Sequence, residues 1–63
     1  MYAIIRIDRQ GRERVLMTCD REDAAHLQAE VLAPFYEDGT ILIAVNSPGE
    51  RKILATLTPG AKP

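Results

Sequence analysis

The feature that most limits what this chain can fold into is an imbalance between its segments. Two stretches with hairpin patterning bracket a single helical one, and every predicted strand carries apolar residues on both faces. One helix of about a dozen residues covers only one face of a sheet, so the pattern predicts a second face whose aliphatic side chains are left uncovered.

The chain has 63 residues, 46% of them hydrophobic, and predicts one small domain over residues 1–58 followed by a flexible tail over 59–63. Folding a chain of this length buries only about 60% of the surface its unfolded form exposes. Domains this small draw support from disulfides, metals, oligomerisation or unusually ideal packing. Cys19 is the only cysteine, so no internal disulfide can form. A reducing, cytoplasmic compartment and self-association, as a homodimer or higher, are therefore expected. The longest apolar run, Ile41 to Val45, is far too short to cross a bilayer, and no secretory leader is visible.

A formal net charge of −1 hides an asymmetry. Residues 20–38 hold Asp20, Glu22, Asp23, Glu30, Glu37 and Asp38 against Arg21 alone, which is 1 − 6 = −5. Residues 1–19 hold four arginines against Asp8 and Glu13, or 4 − 2 = +2, and residues 39–63 are likewise 3 − 1 = +2. The helical segment is acidic and the strand segments are mildly basic.

Tyr2 to Asp8 and Glu13 to Cys19 read as a hairpin around Asp8-Arg9-Gln10-Gly11, a type I turn closed by a left-handed bulge at Gly11. Asp20 is a suitable N-cap for a helix over about Arg21 to Leu32. Ala24, Leu27 and Val31 are its predicted inner stripe, flanked by Ala25 and Leu32, with Glu22, His26 and Glu30 outside. Pro34 stops or kinks it near Ala33, and Phe35 is expected to plug the end of the core. Thr40 to Asn46 and Arg51 to Thr58 form a second hairpin, with Ser47-Pro48-Gly49-Glu50 suiting a type II turn. A two-residue loop would pair Val45 with Lys52 and break the apolar parity, so a bulge or longer loop is expected between Asn46 and Lys52. The fold class is α+β: ββαββ, a four-stranded, mostly antiparallel sheet with one helix on one face.

Strict alternation turns Ala3, Ile5, Ile7, Val15, Met17, Cys19, Ile41, Ile43, Val45, Ile53, Ala55 and Leu57 toward the helix. It leaves Ile4, Leu16, Leu42 and Leu54, with Tyr2, on the uncovered face as a candidate protein-binding patch. Arg6, Arg14 and Lys52 lie near its rim as candidate electrostatic contacts, and Glu22 and Glu30 play that part on the helix.

Chemistry-bearing motifs are sparse. His26 with Glu22 and Glu30 at i±4 reads as a solvated helix face, since a zinc site wants three or four protein ligands and Cys19 is predicted to point inward. No serine, histidine and acid combination has convincing placement, and the glycines are scattered at turns. No catalytic, metal or cofactor site is expected. Ile41-Leu42-Ile43-Ala44-Val45-Asn46-Ser47-Pro48 resembles the strand and turn of the carbon storage regulator family of small dimeric RNA-binding proteins, which carries Arg-Ile-Gly-x-x-Ala-Pro there. Leu42, Ala44 and Ser47 depart from that pattern, and its apolar remainder is ordinary strand, so the likeness is a local one.

The residues point first to a small non-enzymatic protein-interaction module that self-associates or docks on a protein through the helix-free sheet face. A narrower form is an inhibitor of the kind mobile genetic elements carry, using its acidic helix against a basic groove. The alternative is a sheet-face binder of RNA or single-stranded nucleic acid through Arg6, Arg14 and Lys52, with Tyr2 as the one aromatic available for stacking. No membrane partner is expected.

Overall fold

The computed structural model describes residues 1–36, 38–47 and 49–58. Among these the fold is α+β, in the order β1 (Tyr2–Ile7), β2 (Glu13–Cys19), α1 (Glu22–Leu32), a 3-10 turn (Ala33–Phe35), β3 (Thr40–Ser47) and β4 (Glu50–Leu57). The strands form one antiparallel sheet in the order β2-β1-β3-β4. The strands richest in apolar residues, β1 and β3, are central, and the more polar β2 and β4 are the edges. Each strand and the helix lies within one residue of its predicted bounds; the tail over 59–63 lies outside the described residues.

The first hairpin closes as its sequence predicts. Gly11 N donates to Asp8 O at 2.9 Å, Asp8 N donates to Arg12 O at 3.0 Å, and Gly11 adopts φ +82°. Asp8 Oδ1 accepts from the amides of Gln10 and Arg12, both at 2.9 Å, so one carboxylate organises the whole turn. In the second hairpin Val45 does pair with Lys52, and Ser47 with Glu50, across a two-residue connection. Gly49 has φ +86°; the turn type itself rests on Pro48, outside the described residues.

Two β-bulges decide which side chains face the helix. The β1–β2 register shifts between Ile4↔Met17 and Ile5↔Val15, leaving Leu16 as the extra residue. The β3–β4 register shifts between Ile43↔Ala55 and Ala44↔Ile53, leaving Leu54 as the extra residue. The bulge expected near the second turn thus lies further along β4. Each bulge turns its leucine toward the helix, where Leu16 and Leu54 pack against Ile4, Ile41 and Ile43, and swings Val15 and Ile53 to the opposite face.

Strict alternation therefore misplaces several residues. Tyr2 and Ile4 lie on the helix side, with Ile4 fully buried, while Ala3, Ile5 and Ile7 lie on the helix-free side. For β1 the two faces are exchanged because both carry isoleucines, and hydrophobicity cannot tell them apart. Leu42 lies on the helix-free side, and Ile41, Ile43, Met17, Cys19, Ala55 and Leu57 lie on the helix side, as alternation predicts.

The helix is rotated from the expected orientation. Ala25 and Ala29 are fully buried, with Leu32 half-buried beside them, whereas Leu27 and Val31 face solvent. Small side chains on the inner stripe let α1 lie close over β1, β2 and β3. Arg21, not Asp20, is the N-cap residue and makes no side-chain cap; Asp23 Oδ1 instead accepts from Ala24 N at 2.9 Å. The α-helix stops at Leu32 and tightens into the 3-10 turn containing Pro34, as proline dictates. Phe35 is exposed rather than a plug, and Tyr36 turns inward in its place.

The helix-free face is itself a core. Ala3, Ile5, Leu42 and Ala44 cluster there, all buried, with Ile7 packed against them. A bulge in each edge strand adds local twist to the sheet around this cluster. The centre of this face is covered, and its exposed aliphatics are Val15 and Ile53 on the edge strands.

Candidate functional site

Two surfaces concentrate chemistry or exposed apolar area. The first is the outer side of α1. Leu27, Val31 and Phe35 follow one another at intervals of four and are 60%, 52% and 78% exposed. Residues four apart on a helix are neighbours, so Leu27 and Val31 stack along the axis and Phe35 extends the row into the 3-10 turn. Three large apolar groups in line, facing water while two alanines occupy the core, is a reversal of normal amphipathic order. Beside them lie Glu22, Asp23, His26 and Glu30, all exposed, with no basic residue in the last turn.

Of the patch expected from alternation, Ile4 and Leu42 lie on opposite faces and both are buried. Leu16, Leu54 and Tyr2 are half-buried against the helix-side core. The structure does not bring these five together on an open surface. The bulges dissolve the patch, and the periodicity of α1 was the signal that could have pointed to the row from Leu27 to Phe35.

The second surface is the root of the first hairpin. Arg6 and Arg14 are direct cross-strand partners, on the helix-side parity rather than the helix-free one. Lys52 pairs with Val45 near the far end of β4, so it does not join them. Arg6 Nη2 donates to Asp38 Oδ1 at 2.9 Å and to Asp38 O at 3.3 Å, and its guanidinium lies 4.7 Å from the centre of the Tyr36 ring. Arg9 Nε reaches the other carboxylate oxygen of Asp38 at 2.8 Å. Arg12 Nε bonds Asp8 Oδ2 at 3.1 Å. The Arg12 amide, reinforced by its guanidinium and the Gln10 amide, holds the Asp8 carboxyl below its ordinary value.

The chain matches no family model, no curated protein and no solved structure. Among the described residues, no group of three or more His, Cys, Asp and Glu is placed to hold a metal ion, and no helix is long and apolar enough to cross a membrane. Cys19 is a half-buried free thiol packed against the helix-side core.

Proposed function

We propose that this chain is a non-enzymatic protein-interaction module of the cytoplasm that docks on another protein through Leu27, Val31 and Phe35. The observation that carries the reading is the outward row itself, exposed while Ala25 and Ala29 take the core positions. An amphipathic helix face laid into a complementary groove is a recurrent mode of recognition, read through anchors at such spacings. A single cysteine, which can form no internal disulfide, supports a reducing compartment.

Charge narrows the partner. Glu22, Asp23 and Glu30 border the row and Leu27 stands among them, so a second copy docking helix to helix would set carboxylates against carboxylates. A groove that is apolar at its floor and rimmed with lysine or arginine satisfies both features. An inhibitor that occupies a basic groove on its target fits this description.

Photo-crosslinking in the cells of origin tests the proposal, with a reactive residue placed at Val31 or Phe35 and, as a control, at Arg12. The same partner captured from both helix positions, absent from Arg12 and lost on Glu22→Lys/Glu30→Lys, is the expected result. Capture of the chain by itself would replace the partner with self-association. No adduct, or an adduct indifferent to Leu27→Ser/Val31→Ser, would end the proposal.

A further inference from the structure

A cleft of about 380 Å³ opens at the root of the first hairpin, lined by Arg6, Asp8, Arg12, Glu13 and Arg14. That volume lies in the range of small-molecule sites. Its charge is unbalanced in a chain whose net charge is −1. Asp8 is engaged by Arg12, Asp38 is shared by Arg6 and Arg9, and Glu13 is engaged by Arg51. The lining itself holds three arginines against two carboxylates, 3 − 2 = +1, and among the described residues Arg14 has no carboxylate partner.

Two further observations converge on the same place. Arg6 and Arg14 stand directly opposite each other on adjacent strands, an arrangement that like charges disfavour, and of the two only Arg6 has a carboxylate, Asp38, among the described residues. The Arg6 side chain is partly exposed at the cleft, although its Nε is itself buried and has no acceptor among the described residues. Arg6 is also fixed beforehand, by Asp38 on one side and the Tyr36 ring on the other. A guanidinium held in place loses little freedom when it binds, and its fork of N–H donors matches phosphate oxygens.

We infer that this cleft binds a phosphomonoester, the phosphate group lying between Arg6, Arg12 and Arg14. A phosphomonoester carries a charge of about −1.5 to −2 at neutral pH, opposite in sign to the surplus of the lining. A long nucleic-acid strand fits less well, because the segment from residue 20 to residue 38 is 1 − 6 = −5 and would repel its continuation. The cleft is distinct from the outer helix surface, so either proposal can fail without the other.

The test is an NMR titration of the full chain with three probes: inorganic phosphate, a nucleoside monophosphate, and a single-stranded oligonucleotide without terminal phosphates. Sodium chloride at matched ionic strength is the control. Saturable shifts confined to the amides of residues 6–14 are expected with the first two probes and not with sodium chloride. Arg14→Gln, at an exposed position, weakens both by about tenfold, while Arg21→Gln leaves them unchanged. Binding of inorganic phosphate declines from about pH 7.5 to about pH 5.5 as the dianion is protonated. No saturable response to phosphate, or an equal response in Arg14→Gln and the parent, overturns the assignment. Saturation by the oligonucleotide alone overturns it too, and makes the arginines a strand-binding surface.

Discussion

Arg51 Nη1 stands 2.6 Å from Glu13 Oε1, joining two residues from opposite edge strands and opposite ends of the sheet. Glu13 pairs with Ile7, which pairs with Thr40, whereas Arg51 pairs with Asn46. In a flat sheet that offset would be about 20 Å along the strands and about 14 Å across them, beyond the reach of the two side chains. Both residues have the parity of the helix-free face, shared with Val15 and Ile53. The bridge therefore spans a strongly coiled sheet, on the same face that holds the buried Ile5 and Leu42.

The bridge gives this arrangement a pH dependence. Hydrogen bonding from Arg51, with its charge, lowers the Glu13 pKa from the ordinary 4.5, and the Arg51 pKa is raised in return. A depressed carboxylate contributes stability above its unfolded value and loses it as pH falls through the folded value. Thermal melts of the parent and Glu13→Gln should differ at neutral pH, the variant being less stable. The gap should close in acid below the depressed pKa and shrink in high salt, because both partners are solvent-exposed. A gap that persists unchanged in strong acid would assign the effect to something other than the ion pair.

If both faces of the sheet are cores, truncation on either is costly. Leu42→Ala and Ile43→Ala should each destabilise by about 2–5 kcal/mol in urea unfolding, although only Ile43 faces the helix. A solvent-facing Leu42 would instead show a change within about 0.5 kcal/mol.

The rotation of α1 makes an inverted prediction for its apolar residues. Leu27→Ala, at an exposed position, should change stability by no more than about 0.5 kcal/mol. Ala29→Leu should destabilise by about 1–3 kcal/mol, since it inserts a large side chain where the helix meets the sheet. The reverse ranking in denaturant titrations would return Leu27 to the core.

Gly39 and Gly11 both have positive φ but differ in surroundings. A Cβ at Gly39 would lie 2.5 Å from Ile7 O, a backbone atom, whereas one at Gly11 meets nothing within 4 Å. Gly11→Ala should cost about 1–2 kcal/mol, the strain of the left-handed conformation alone. Gly39→Ala should cost distinctly more, because the start of β3 must also move away from β1. Equal losses in the two variants would contradict the close approach.

The order and bounds of the elements were legible because they depend on local signals. Asp8 and Gly11 make a turn of known chemistry, Pro34 halts a helix, and runs such as Ile41 to Val45 favour central strands. The candidate surfaces were only half legible. Glu22 and Glu30 lie on the outer helix face, as their spacing predicts; Arg6 and Arg14 are neighbours, but on the helix side rather than the open face, Lys52 is not beside them, and Leu27 and Val31 face solvent instead of the core.

The sequence by itself determined a ββαββ chain with an acidic helix, basic hairpins and two-sided apolar strands. Only the tertiary structure decided which side of each strand faces the helix, which stripe of α1 is buried, and how the second face is closed. The physical reason is that Leu16 and Leu54 each shift their strand by one residue, and a shift of one exchanges the faces. A one-residue bulge leaves no mark in strands whose faces are both apolar, and close packing against a coiled sheet selected Ala25 and Ala29 over the larger side chains beside them.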